Sequence, residues 1–382
     1  MGKTSVDVSV VMPCLNEEAA VGTCVRRARE GLAKLKRRGY TGEIIVVDNG
    51  STDRSAAIAK SAGARVIIQK IRGYGAAYHT GISAARGTYI VMGDSDGTYD
   101  FKVIPLFIRE LTRGADVVLG SRFAGRILKG SMSPTHRRIG NPILTAAINV
   151  YFSSHLTDSQ TGFRAFTKRA YNVMKLRSRG MEFVSEMIMK ALLYKLTLVE
   201  IPITYHKRSG TSKLSPVRDA WRHITAILIY SPTYAFVIPG FILFFAGIVG
   251  TIALVPGPIR AGTVMVDIHT MIIAILMASL GIYMILLGFF ARLLTVQRLG
   301  LPGGTLTDFM LRHLSTERLF VTGLTCLCIA AGTISAITII WVSRHFGPLA
   351  YEREFIAAAG LGIIGGQLAL SSFLMEMLRT EA

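Results

Sequence analysis

Asp94-Ser95-Asp96 directly follows the apolar run Thr88-Tyr-Ile-Val-Met92. In an extended segment, residues i and i+2 project to the same side, so the two carboxylates meet at a strand end. Such a pair repels unless a cation lies between them. Oxygen ligands on a partly open site suit Mg²⁺ or Mn²⁺ shared with a diphosphate. Asp48-Asn49-Gly50-Ser51-Thr52-Asp53 follows a second apolar run, Glu43-Ile-Ile-Val-Val-Asp48. Asp48 can accept hydrogen bonds from a nucleobase or ribose, while Gly50, Thr52 and Asp53 would serve a turn and helix cap in any case. Gly73-Tyr74-Gly75 would let backbone come close to a ligand, a weaker signal. Cations are many and candidate bases few. Arg122, the pair Arg137/Arg138 and the run Lys207-Arg208-Ser-Gly-Thr-Ser-Lys213 stand out, whereas His79, His155 and His206 are scattered and read as structural. Glu182 and Glu186 share a helix face, and Glu186 is either a sugar contact or a surface carboxylate.

The elements that must position these groups alternate. Val8–Met12 reads as a strand ended by Pro13, Ala19–Arg38 as a helix, and Glu43–Asp48 as a buried strand. A helix opening at Ser51-Thr52-Asp53 and running through Ser61 comes next. Strand Arg65–Ile68, helix Ala76–Ala85, strand Thr88–Met92, helix Val103–Arg113 and strand Asp116–Leu119 complete the series. This alternation predicts a mostly parallel sheet covered by helices, whose ligands bind at the carboxyl ends of the strands. Pro13 to Glu17, Asp48 to Asp53, Asp94 to Asp96 and Arg122 follow those ends. Asn141–Phe152 is too short to span a bilayer and reads equally as an interfacial or a core helix.

The rest of the chain is of another kind. Of 382 residues, 51% are hydrophobic and 18% charged, with mean hydropathy +0.43, which is too apolar for an ordinary soluble protein. Residues 1–232 hold 35 of the 43 Lys and Arg and 17 of the 24 Asp and Glu, whereas residues 233–382 hold 8 and 7. The basic part suits an anionic leaflet and phosphorylated ligands better than nucleic acid. Four charge-free runs, 233–259, 268–291, 319–343 and 355–375, are each long enough to cross a bilayer. They predict four membrane helices at about 233–257, 267–291, 319–343 and 355–377. Arg292, Arg298, Arg312 and Arg318 fall between the second and third, so the positive-inside rule puts that loop and both termini in the cytoplasm. Met1 to Val11 lacks the apolar core of a signal peptide, in agreement. In residues 214–232, Val217, Trp221, Ile224 and Leu228 share one helical face beside Arg218 and Arg222, the pattern of an interfacial helix. Cys14, Cys24, Cys326 and Cys328 have no zinc spacing and imply no disulfide. The expected domains are 1–213, catalytic; 214–232, interfacial; and 233–382, membrane-spanning.

Together the motifs resemble a family. Val11-Met-Pro-Cys-Leu-Asn-Glu-Glu18 is similar to the opening of the family 2 inverting glycosyltransferases. Asp48–Asp53 resembles their second-strand motif, usually with two Asp where this chain has Asp48-Asn49. Asp94-Ser-Asp96 resembles their metal motif. Asp158-Ser-Gln-Thr-Gly-Phe-Arg164 and Lys207–Lys213 resemble segments of the polyprenyl-phosphate sugar synthases, the dolichol-phosphate mannose synthase group. The resemblance implies an α/β GT-A fold, a nucleotide-diphosphate sugar donor carrying GDP or UDP, Mg²⁺ or Mn²⁺, and a polyprenyl phosphate acceptor. It also implies a possible homo-oligomer. It implies donor contacts from Pro13, Leu15, Glu17, Asp48, Asn49, Asp94, Lys207, Arg208 and Lys213. Asp94 and Asp96 would hold the metal, and Arg122, Arg137 and Arg138 the acceptor phosphate, with Asp94, Asp96 and Arg122 catalytic. Two positions depart from the family: Thr98 where Gln or Ser is common, and Tyr74 where Lys is common between the two glycines.

The chemistry agrees with the residue inventory. A polyprenyl monophosphate is already an anionic nucleophile, so it needs positioning and leaving-group stabilisation more than a base. A processive polysaccharide synthase is a second expectation, but its Gln-x-x-Arg-Trp signature does not occur here. A lipid-sugar translocator with a non-catalytic GT-A domain is a third, and the intact carboxylates and basic loop speak against it.

Overall fold

The computed structural model describes residues 6–210, 216–299, 315–348 and 351–380. The chain divides into two compact units, Met1–Ile227 and Leu228–Ala382.

The first unit is built on a sheet of seven strands among the described residues: β1 Val8–Cys14, β2 Gly42–Asp48, β3 Arg65–Ile68, β4 Tyr89–Met92, β5 Val117–Ile127, β6 Arg164–Thr167 and β7 Leu198–Tyr205. Their order is β3-β2-β1-β4-β6-β5-β7. Strands β3, β2, β1 and β4 are mutually parallel and β5 is parallel to β7, while β6 runs antiparallel between β4 and β5. Val10, Val46, Val91 and Val118 are completely buried, which explains why these strands read as unbroken apolar runs. Helices α1 Val21–Lys36, α2 Ser55–Ser61, α3 Tyr74–Ala84, α4 Ile104–Thr112, α5 Asn141–Phe152, α6 Lys168–Met174 and α7 Phe183–Leu193 connect and cover them. Phe163, the residue before β6, packs its ring 4.5 Å from that of Phe107 on α4 and 5.2 Å from those of Tyr99 and Phe101.

Several boundaries differ from the sequence reading for physical reasons. Strand β1 continues through Pro13 to Cys14. Its pairing with β4 stops at Val11, so the missing Pro13 N–H interrupts no bond on that side. Helix α2 begins at Ser55 rather than Ser51. Asp53 does serve its start, its Oδ1 accepting from Ser55 N at 2.9 Å, and the same turn also holds the β1–α1 loop: Asn16 N donates to Ser51 Oγ and Glu18 N to Asp53 Oδ2. Strand β5 runs to Ile127, so Arg122 lies within it and not after it. The βα alternation does not predict β6, Arg164–Thr167, which pairs antiparallel with β4 and β5 and so lies outside that pattern.

Helix α8, Pro216–Tyr230, closes the first unit and runs into the second. His223, Ala226 and Ile227 are buried, whereas Trp221 and Ile224 are 66% and 43% exposed. The expected apolar face is therefore an outer face, and the opposite side of the helix is packed.

The second unit holds four helices long and apolar enough to cross a membrane among the described residues, at Thr233–Leu254, Ile268–Gln297, Thr316–Ser343 and Glu352–Leu378. They comprise α9 Ile238–Leu254 with the wider helical turn before it, α10 Ile268–Leu299, α11 Thr316–Ser343 and α12 Glu352–Thr380. The second, third and fourth extend past the charge-free runs, because an arginine or glutamate is readily kept at a helix end. Strands β8 Ile259–Ala261 and β9 Val264–Val266 form a hairpin between α9 and α10.

Candidate active site

A cavity of about 300 Å³ opens at the carboxyl ends of β1, β2 and β4. Pro13, Leu15, Glu17, Asn49, Asp94, Asp96 and Arg208 line it, so seven residues named from the sequence meet in one place. The cavity lies where the strand order reverses direction from β1, toward β2 on one side and β4 on the other, the usual ligand position in an open α/β sheet.

The two aspartates are held differently. Tyr74 donates its hydroxyl to Asp94 Oδ1 at 2.9 Å. A Cβ added to Gly162 would fall 2.9 Å from Asp94 Oδ2, so only glycine keeps that side of the carboxylate open. Asp96 Oδ1 accepts from Thr98 N at 3.0 Å and Thr98 Oγ1 at 2.6 Å. Thr98 thus orients Asp96. Burial, and then the charge of Asp96, push the Asp94 carboxyl up to about 7. A divalent cation would relieve that repulsion. Among the described residues no group of three His, Cys, Asp or Glu could hold a metal alone. The donor set therefore fits Mg²⁺ or Mn²⁺ that completes its shell with diphosphate oxygens and water.

Arg208 enters from the loop after β7. Its Nη2 donates to Glu17 Oε1 at 2.6 Å, and its Nε lies 3.5 Å from Asp96 Oδ2. That Nε is buried without a hydrogen-bond partner, a donor that an anion in the cavity would satisfy. Glu17 is anchored by its own backbone, since its N donates to Ser55 Oγ at 2.8 Å. Ser95, between the aspartates, donates to Pro13 O at 2.7 Å and ties the β4 end to the β1 end.

Asn49 explains its departure from the usual Asp. Its Nδ2 donates to Gln69 O at 3.1 Å and Ile71 O at 2.8 Å, and its Oδ1 accepts from Gly73 N at 2.7 Å. A carboxylate has no proton for the first two bonds. Asp48 is buried at the end of β2 and accepts from Ser51 N at 3.1 Å; it does not line the cavity.

Gly73 and Gly75 do bring backbone close, but to protein. An added Cβ on either would lie 2.3 Å from Arg179 O or Ser178 O. Residues 177–181 cross over the start of α3 as a strap. Gly75 N donates to Gly180 O at 3.3 Å and Ala76 N to Arg179 O at 3.0 Å, so these helix N-terminal donors are spent. Glu186 fastens the strap, accepting from Ser178 N at 2.8 Å and Arg177 N at 3.0 Å. It also pairs with Lys190 at 2.8 Å, both side chains wholly buried. Glu186 is thus a structural anchor, neither a sugar contact nor a surface carboxylate. His79 likewise braces the strap, its Nε2 3.1 Å from Ser178 O.

The remaining cations sit apart from the cavity lining. Arg122 Nε and Nη2 bind Asp158 at 2.6 and 2.8 Å, with the guanidinium 5.3 Å from the Tyr205 ring centre. Burial opposes its charge, but Asp158 more than offsets this and raises its pKa above that of an ordinary arginine. Arg137 and Arg138 are exposed on the wider helical turn His136–Gly140 before α5. Lys207 is exposed beside Arg208. Lys213 lies outside the described residues. Sequence reasoning missed the role of Asp158, although the segment containing it was singled out. It also missed Arg164, whose wholly buried guanidinium donates to Thr161 O, Ser159 O and Val184 O. Arg72 and Arg222 line the cavity without having been named for it.

A doubly wound sheet with paired aspartates at its switch point and a four-helix apolar unit after it define a membrane-bound GT-A protein. Residues 9–175 match the model of glycosyl transferase family 2, and residues 291–379 match that of the glycosyltransferase family 2 C-terminal transmembrane region. The chain is 38% identical to the low-salt glycan biosynthesis hexosyltransferase Agl6 of Haloferax volcanii, over 97% of this chain and 89% of that one. This chain belongs to glycosyl transferase family 2 and is a glycosyltransferase of the membrane. It is 32% identical to the dolichyl-phosphate hexose transferase of Haloferax volcanii, over 55% of this chain and 87% of that one. Among solved structures, glucosyl-3-phosphoglycerate synthase from Mycobacterium tuberculosis is 20% identical and covers 59% of this chain and 80% of its own, with a TM-score of 0.47.

Proposed function

We propose that this protein moves a hexose from a nucleotide-diphosphate sugar to a polyprenyl phosphate, with inversion at the anomeric carbon. The observation that carries the reading is the convergence on one cavity of Asp94, Asp96 and Arg208, whose Nε lacks a hydrogen-bond partner. One relative named as a hexosyltransferase and another named as a dolichyl-phosphate hexose transferase support the substrate class. Pro13, Leu15, Glu17 and Asn49 form the nucleoside side, with Asp48 shaping the turn beneath. Asp94 and Asp96 hold Mg²⁺ or Mn²⁺, which when bound neutralises charge developing on the departing diphosphate. Arg208 turns from Glu17 and Asp96 toward that diphosphate, with Lys207 and Lys213 from the same basic run. The acceptor phosphate is ionised already and attacks from the face opposite the leaving group, so no side chain has to remove a proton. Arg122 supports the acceptor side through its pair with Asp158, and Arg137 and Arg138 add positive charge there. The arginine distribution favours a cytoplasmic catalytic unit and cytoplasmic termini.

The test is transfer by the purified full chain in detergent, using labelled UDP- and GDP-hexoses with polyprenyl phosphate. Label extracted into organic solvent as a monosaccharide lipid is the expected result. A water-insoluble polymer, or no product from any donor, would refute the proposal. Asp96→Ala is expected to abolish transfer while leaving the thermal melt of the protein unchanged.

A further inference from the structure

The geometry points to Arg222 of α8 as the residue that receives the phosphate of the lipid acceptor, an assignment that rests on the transfer reaction proposed above. Arg222 lines the same cavity as Asp94 and Asp96. Its neighbours on the helix are apolar and open: Trp221 is 66% and Ile224 43% exposed. A cation at a cavity mouth, flanked by exposed apolar surface, matches an amphiphile with an anionic head and a hydrocarbon tail. The placement is built. Ser185 Oγ, buried on α7, lies 2.8 Å from His223 Nδ1 and 3.4 Å from Gln160 Oε1, which fixes the helix beside the Asp158–Arg164 segment. The first membrane span begins at Thr233, eleven residues later in the chain. Arg72 lies on the nucleoside side, next to the Gly73 that Asn49 holds.

The phosphate could belong to either reactant, and the experiment separates the two. The full chain in detergent is titrated with farnesyl phosphate, farnesol, UDP and GDP, for wild type, Arg222→Gln and Arg222→Lys. Loss of one charge-assisted hydrogen-bonding group is expected to weaken farnesyl phosphate roughly ten- to a hundredfold in Arg222→Gln. Farnesol and both nucleoside diphosphates should stay within about twofold, and Arg222→Lys should recover part of the loss because a point charge replaces a fork. In turnover, the apparent KM for polyprenyl phosphate should rise by a similar factor while the donor KM holds. Unchanged farnesyl phosphate binding in Arg222→Gln would overturn the assignment, as would no binding by wild type or an equal loss of nucleoside diphosphate. Arg222-dependent binding by a wild-type chain that forms no lipid-linked sugar would instead sink the transfer reaction and leave the phosphate site standing.

Discussion

The two units use the same apolar residues toward opposite ends. In the catalytic unit, Val10, Val46 and Val91 are completely buried. In the second, only 22%, 44%, 17% and 28% of the span windows are buried within the protein. Ile242, Val249 and Ile252 there are about two-thirds exposed, at 65%, 65% and 66%. Apolar residues outside a soluble domain are a liability, but facing lipid they are the requirement. Glycine divides the same way. Gly50 and Gly97 of the catalytic unit sit in turns at positive φ, +94° and +86°. In the second unit several glycines lie where helices cross. A Cβ on Gly247 of α9 would fall 2.3 Å from Ala274 O of α10, and one on Gly323 of α11 would fall 2.5 Å from Ala369 N of α12. Without a hydrophobic drive between helices in lipid, close backbone approach through small residues supplies the attraction. Polarity differs too, since the catalytic unit buries whole ion pairs.

The contrast can be broken at its strongest point first. Glu186→Ala leaves Lys190 buried without its carboxylate. It should cost about 3–5 kcal/mol, read as a large drop in the melting temperature of the catalytic unit. The next test sets equal exposures against each other. Ile242 is 65% and Ile68 60% exposed. Ile242→Lys should cost about 2.5–3.5 kcal/mol at the middle of a span and reduce membrane insertion. Ile68→Lys should change stability by less than about 0.5 kcal/mol. Equal tolerance at both sites would show that the α9 surface faces water. Gly247→Leu should loosen the α9–α10 pair by about 1–3 kcal/mol in detergent unfolding, with donor binding to the catalytic unit retained. A further test is Asn49→Asp, which loses two donated bonds. About 1 kcal/mol of stability and a weaker donor KM are the readout, and an unchanged KM would argue that the Gln69–Gly73 loop does not shape the donor side.

Much of this was legible along the chain because the signals are local. Buried strands announce themselves as apolar runs, and the residues at or just past their ends, Pro13, Asn49, Asp94 and Asp96, fall at the cavity because strand ends do. The membrane helices follow from the absence of charge over enough residues. What stayed hidden is non-local. Arg122 finds Asp158 across 36 residues, and nothing in either neighbourhood encodes the partner. Strand β6 enters between β4 and β5, an order that depends on the whole sheet. Helix α8 read as a surface helix because its outer face is apolar. Its inner face packs through His223 against Ser185, a partner 38 residues away that the helix's own sequence does not encode.

The strap over α3 has a consequence for how the molecule is made. His79 and Ser178 meet across 99 residues of chain. A ribosome reaches the strap roughly 5–20 s after it has passed α3. Until then Gly75 and Ala76 keep open amide donors, and the wall carrying Gly180 and Met181 does not exist. The cavity is thus finished late, after β1 to β5 are already synthesised. A half-made chain has the paired aspartates but not the enclosed cavity beside them.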